Sequence, residues 1–212
     1  LGGLPNLTQQ IQIGHGIWQS LNNEVKRQKL DKIAPLLENT EWPWSWPDQY
    51  LRTQEISHIE KAEIAAAILV NCSEATLFHN LYTVTEPRVG LKNKQRGFAA
   101  YERPGELMGS APLGHPQAID LYIDAIKEYV KQENICYLEL RGSPHKYATD
   151  PIHWLKYFEQ QLKDEICQFR FIWIIDRRQN NAATIVNQAV EYRGNNENPF
   201  LVGLDLAGDE GV

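Results

Sequence analysis

The spacing of apolar and polar residues changes character near residue 115. Beyond it, Ile119, Tyr122, Ile123, Ile126 and Val130 recur at steps of three and four. That spacing predicts an amphipathic helix. Ile135 to Leu140 then reads as a strand. Asp150-Pro151 has the form of an N-cap followed by proline at the first helical position. Ile152, Leu155, Phe158, Leu162 and Ile166 form the next helical stripe. Phe169 to Ile175 is a strongly apolar strand, Ile185, Val186, Ala189 and Val190 mark a third helix, and Phe200 to Leu206 a third strand. Apolar strands alternating with helices predict a parallel sheet covered on both faces. A doubly wound sheet and a (β/α)8 barrel both have this pattern, and periodicity does not separate them.

The first half is less regular. Gly16 to Leu30 reads as a helix, with Ile17, Leu21 and Val25 roughly on one face, and His58 to Leu81 as a core helix with Ile64, Ala65, Ile68, Leu69 and Cys72 at helical spacing. Between them lies Trp42-Pro43-Trp44-Ser45-Trp46-Pro47. Its prolines exclude regular structure and its tryptophans call for burial, so it reads as a packed loop. A ligand-stacking or subunit-contact loop is the alternative. From Thr83 to Pro116 proline and glycine dominate, which predicts a long loop, and long loops inside domains often carry function. Lys92, Lys94, Arg96 and Arg103 make this loop the candidate phosphate-binding feature, with a solvated charged loop as the plainer reading. The predicted organisation is therefore a helical and loop region over 1–115 and β/α units over 116–212.

Composition narrows the classes. The chain has 212 residues, 42% hydrophobic and 23% charged, with formal net charge −6. An acidic chain argues against general nucleic-acid or anionic-membrane binding. No apolar run reaches the roughly 20 residues of a spanning helix. Cys72, Cys136 and Cys167 are an odd, dispersed set, read as reduced thiols of a cytoplasmic protein. The histidines His15, His58, His79, His115, His145 and His153 are scattered, and none has metal-ligand spacing.

Polar residues gather where the strands end: Arg141-Gly142-Ser143-Pro144-His145, Asp176-Arg177-Arg178, and Asp205-Leu206-Ala207-Gly208-Asp209-Glu210. In parallel α/β proteins the carboxyl ends of strands face the ligand. A structural ion pair, Arg141 with Asp205 or Asp209, is the competing explanation for any one residue. A glycine between charged residues also lets backbone approach a ligand closely.

The Asp205–Glu210 segment, preceded by Leu201-Val202-Gly203-Leu204, resembles the DLAGDE strand end of the adenosine deaminase family. Tyr137-Leu138-Glu139-Leu140-Arg141-Gly142-Ser143-Pro144-His145 is similar to that family's upstream Y-[LV]-E-[LV]-R-x-S-P segment, and Phe169 to Arg178 resembles the strand between them. The resemblance covers roughly Gln117 to Val212. It implies a metal-dependent (β/α)8 hydrolase, incomplete in this chain, with an enlarged, mainly helical N-terminal region. It also implies hydrolytic deamination, in which zinc activates a water that attacks C6 of the purine. Gly208 matches the glycine whose backbone contacts the purine. Asp209 and Glu210 then orient the loop at the site, while Arg141, Ser143 and Asp205 are framework residues.

The departures matter as much. The family's His-x-His, its later His-Ala-Gly-Glu and a further Asp supply the metal ligands and the catalytic glutamate. None of these motifs is present here. The expectation is no catalytic residue and no metal ligand in this chain, with zinc belonging to an intact enzyme of which this is an internal piece. Leu1-Gly2-Gly3 aligns with the Leu-Asp-Gly that follows His-x-His. Gly2 then replaces an Asp that holds the ribose 5′-hydroxyl, and the loss of that carboxylate favours a 5′-phosphate. Glu102 to Leu107 with Gly109-Ser110-Ala111 resembles an insertion in adenosine deaminase-like proteins of bacterial antiviral and CRISPR-associated systems, which act on adenine nucleotides such as ATP. The expected ligand is adenosine or an adenine nucleotide, and a homo-oligomer is compatible. The alternative is a non-catalytic purine-binding or assembly subunit.

Overall fold

The computed structural model describes residues 5–42, 50–51, 55–82, 105–177 and 180–208. They fall into two compact units divided between Tyr122 and Ile123.

The first unit is helical. Helix α1 (Leu7–Ser20) starts at a capping box, in which Asn6 accepts from the Gln9 amide and Gln9 returns a bond to the Asn6 amide. Helix α2 (Asn23–Leu37) starts at Asn22, whose side chain accepts from the Val25 amide. The helix expected across Gly16 to Leu30 is therefore two helices. Leu21 leaves the helical region at ψ 142 and Asn22 caps anew. The same happens downstream. α3 (His58–Asn71) ends where Cys72 turns extended, and the Ser73 hydroxyl accepts from the Thr76 amide to begin α4 (Glu74–Tyr82) at a bend of 120°. In both cases a local cap outweighs an uninterrupted apolar stripe.

α3 is buried nearly all round, with Ala62 and every residue from Ile64 to Leu69 in the interior. α1 lies close against it, since a Cβ on Gly14 would come within 2.8 Å of Leu69 Cβ. The core collects Ile33 and Leu36 of α2, Ile64, Ile68 and Leu69 of α3, Leu77 and Leu81 of α4, and Trp42. Trp42 is thus a core residue, and its amide donates to Asn80 Oδ1 at 2.9 Å; residues 43–49, with the other two tryptophans of that loop, lie outside the described residues. The end of the expected Pro/Gly loop is also helical. Glu106–Ser110 forms a π turn, Pro112–Gly114 a 3-10 turn, and Leu107, Ala111 and Leu113 are buried. Helix α5 (Pro116–Gln132) follows and crosses the division, burying Ile119, Tyr122, Ile123, Ile126 and Val130 as the spacing predicted.

The second unit holds a three-stranded parallel sheet in the order β1 (Tyr137–Gly142), β2 (Gln168–Asp176), β3 (Leu201–Ala207). Helix α6 (Pro151–Leu162) connects the first two strands and α7 (Ala182–Arg193) the last two. Asp150 caps α6 by accepting from the His153 amide, ahead of Pro151. The α6 stripe meets one face of β2 through aromatic contacts: Trp154 stacks on Phe158, and Phe158 meets the edge of Phe171. A register shift between Phe171 and Ile172 leaves Val202 as an extra residue of β3.

The architecture corrects the expected (β/α)8 barrel. The chain is rich in helix, and its sheet is small and open: among the described residues β1 and β3 are each bonded to one neighbour only. Closing a sheet into a barrel of this kind takes about eight strands, and a β/α rhythm reports crossovers without reporting closure. The two faces of the sheet also differ among the described residues. β2 buries Phe169, Phe171, Trp173 and Ile175 on one face, while Ile172 and Ile174 on the other are only half-buried. No single helix among the described residues is long and apolar enough to cross a membrane.

Candidate functional site

Parallel strands in sequential order bring their carboxyl ends to one edge. The described residues of the three polar clusters, Arg141 to His145, Asp176-Arg177 and Asp205 to Gly208, therefore lie at one edge although far apart in sequence. Arg141 stands opposite Ile172 of β2 and Asp205 opposite Ile174, so the two point from the outer strands onto the same half-open face. There the Arg141 guanidinium is ion-paired with the Asp205 carboxylate.

Ser143 is buried just past β1. Its hydroxyl donates to the Ile174 carbonyl at 3.3 Å, and its amide donates to the Tyr147 hydroxyl at 3.0 Å. These bonds tie the β1 exit to β2. In the 3-10 turn Pro144–Lys146, His145 Nδ1 accepts from the Trp173 indole N–H at 3.1 Å, and Lys146 Nζ lies 3.8 Å from Asp176 Oδ2. Asp176 ends β2 and is itself buried.

Gly208 completes the edge. Its φ of +108 is a conformation that side chains disfavour, and a Cβ there would lie 2.9 Å from Asp176 Oδ1. Arg177 locks the same turn: its backbone amide donates to the Ala207 carbonyl at 3.0 Å and its Nη2 to the Leu206 carbonyl at 3.1 Å. The glycine is therefore required by backbone angle and by space together. Among the described residues the edge combines three cations (Arg141, Lys146, Arg177) with two carboxylates (Asp176, Asp205), in a chain that is acidic overall.

Of the residues singled out from sequence, Arg141, Ser143, Asp205 and Gly208 come together here. Of the two candidate ion-pair partners of Arg141, Asp205 is paired with it, and Asp209 lies outside the described residues. Gly2, Asp209, Glu210, Lys92, Lys94, Arg96 and Arg103 lie outside the described residues. Lys146 and Trp173 were not singled out by sequence reasoning, and Asp176 and Arg177 only as members of a strand-end cluster. A lysine three residues after Ser143 and a tryptophan in an apolar strand have no local signature of a site; only strand adjacency reveals them.

Zinc does not fit what is described. Among the described residues no group of three His, Cys, Asp or Glu side chains converges in a way that could hold a metal ion. His145 is engaged by Trp173, and Asp176 and Asp205 face cations. No step through a metal is derived from these residues. Comparison with protein-family models, with curated proteins and with solved structures finds no match to this chain.

Proposed function

We propose that this chain contributes the purine-contacting portion of an adenosine deaminase-like aminohydrolase acting on adenosine or an adenine nucleotide. The observation that carries the reading is the convergence of Arg141, Asp205 and Gly208 at one sheet edge, from the two segments that resemble the family. Its chemistry suits a purine. A glycine turn at a strand end carries no side chain, so its backbone polar groups can meet a flat ring. The balance of cations and carboxylates around it offers both donors and acceptors to ring nitrogens and sugar hydroxyls. The reaction of such an enzyme consumes water and releases ammonia as the amine at C6 becomes a carbonyl. A cytoplasmic setting, where nucleotides are abundant, goes with this reading.

The ion pair between Arg141 and Asp205 favours one second reading, a binding module without turnover. The guanidinium and the carboxylate are already engaged with each other, an arrangement suited to orienting a ligand.

Calorimetric titration of the 212-residue chain with adenosine, ATP and, as control, uridine tests the purine reading. Saturable binding of adenosine or ATP but not uridine is expected, and no purine binding would refute both readings. Ammonia release, assayed with and without added zinc, separates them. The chain alone is expected to release none, so turnover with stoichiometric zinc would overturn the expectation that this chain carries no catalytic residue and no metal ligand. A clear preference for adenosine over ATP would remove the role given to Gly2 and to the loop of Lys92, Lys94, Arg96 and Arg103.

A further inference from the structure

The opposite, amino-terminal ends of β1 and β2 hold a second feature. Tyr137 is in register with Gln168, and the Gln168 amide donates to the Cys136 carbonyl at 2.8 Å. Cys136 and Cys167 are the residues immediately before that pair, so they stand side by side at the foot of adjacent parallel strands. Neighbouring strands lie about 4.8 Å apart, which is inside the Cα separation of roughly 4.4–6.8 Å that a disulfide spans. Each cysteine lies two residues before one of a facing pair, Leu138 and Phe169, that shares one face of the sheet. Both are thiols, Cys136 exposed and Cys167 buried. Burial, then Asp164, then Cys136 push the Cys167 thiol up. Cys167 also lines a cavity of about 260 Å³ with Asp164 and Arg170.

We propose that Cys136 and Cys167 form a reversible redox pair, closed into a cross-strand disulfide by a peroxide. The exposed Cys136 thiolate attacks one peroxide oxygen. The O–O bond breaks, hydroxide leaves, and Cys136 becomes a sulfenic acid. The Cys167 sulfur then attacks that sulfur and the S–O bond breaks; with the Cys167 proton, the second oxygen leaves as water. Two thiols and one hydrogen peroxide thus give one disulfide and two waters. A small thiol reverses the step by exchange. The burial of Cys167 suits it to resolve the sulfenic acid rather than to meet the oxidant first. Closure would pin β1 to β2 at the end away from the candidate ligand site, so the inference stands apart from the purine reading.

The test uses the 212-residue chain carrying Cys72→Ser, which leaves Cys136 and Cys167 as its only thiols. Removing Cys72, whose thiol burial pushes up to about 11, excludes a linkage to a third thiol. After limited hydrogen peroxide, the expected result is loss of both thiols, a mass lower by two hydrogens, a peptide joining Cys136 to Cys167, and full recovery with dithiothreitol. Cys167→Ser is expected to leave a sulfenic acid at Cys136 that dimedone traps, and Cys136→Ser to leave Cys167 reduced. The proposal is overturned if both thiols survive, if a dimedone adduct at Cys136 accumulates while Cys167 is present, or if the only linkage joins two chains.

Discussion

Arg141 and Asp205 are ion-paired across an intervening strand, one at the end of β1 and the other on β3, over Ile172 and Ile174 of β2. Both side chains keep contact with water, so the pair contributes modestly to stability, at most about 1 kcal/mol. Its greater effect is expected on the geometry of the sheet edge. A double-mutant cycle of Arg141→Ala and Asp205→Ala, read by urea denaturation, should give a coupling within that bound. The same variants should weaken purine binding by about tenfold or more, equivalent to roughly 1.4 kcal/mol. Unchanged affinity in both single variants would leave the pair a purely structural contact.

Gly208 and Gly203 offer a contrast within one strand and its exit. Gly208 has φ +108 and no room for a Cβ beside Asp176, whereas a Cβ on Gly203 would make only ordinary contact with Ile172 at 3.8 Å. Gly208→Ala is expected to destabilise the chain by about 1–3 kcal/mol, and Gly203→Ala to be nearly neutral. Thermal melts of the two variants side by side check this; equal melting temperatures would show that the Gly208 turn relaxes freely.

In the helical unit Lys29 is a buried cation. Its Nζ lies 2.8 Å from Glu63 Oε2 and 3.4 Å from Glu60 Oε1, and Lys32 also pairs with Glu60. Removing one member of a fully buried pair costs about 3–5 kcal/mol, because the partner charge is left uncompensated. Glu60 retains some access to water, so Lys29→Met should cost about 2–3 kcal/mol in this setting. Adding Glu60→Gln and Glu63→Gln should recover most of that loss in denaturant titrations. A triple variant no more stable than Lys29→Met would assign the loss to packing instead.

The same region predicts how stability depends on pH. The Lys32 hydrogen bond, then the charges of Lys29 and Lys32, hold the Glu60 carboxyl below its ordinary 4.5 despite partial burial. Burial holds His115 below its ordinary 6.5, partly opposed by the Glu63 charge. Both groups bind protons more weakly folded than unfolded. Their stabilisation is therefore present above the unfolded values and is lost as pH falls, first below 6.5 through His115 and then below 4.5 through Glu60. His115→Gln should flatten the first step and leave the second, in denaturation curves collected from pH 8 to 3. Stability that stays level from pH 7 to 5 in the parent chain would contradict this.

Gln10 and Tyr122 hydrogen bond at 3.0 Å where both are fully buried. Tyr122→Phe removes one partner of the Gln10 amide in a place water does not reach. The expected cost is about 1–3 kcal/mol, and Gln10→Leu with Tyr122→Phe should be less damaging than Tyr122→Phe alone. A neutral Tyr122→Phe would mean that the amide finds another partner.

The amino-acid sequence by itself determined the elements from α5 to β3. Helix spacing over Ile119–Val130 and Ile152–Leu162, the Asp150-Pro151 cap, and three apolar strands are local signals, set by periodicity and by backbone groups a few residues apart; the predicted stripe ran on to Ile166, which lies beyond the end of α6 and is exposed. The breaks at Leu21–Asn22 and Cys72–Ser73 were also written locally, in Asn22 and Ser73, but were masked by an apolar stripe that continues through each break on paper. What only the tertiary structure decided is non-local: that among the described residues the sheet is open and has one half-open face, that Arg141 and Asp205 pair, that Lys146 meets Asp176, and that Trp173 bonds His145. Cys136 and Cys167 belong to the same class, since their spacing along the chain says nothing until strand register sets them side by side. Local patterns determine which residues become strands. Which side chains meet is fixed by the order and register in which those strands pair, and that depends on packing summed over the whole unit.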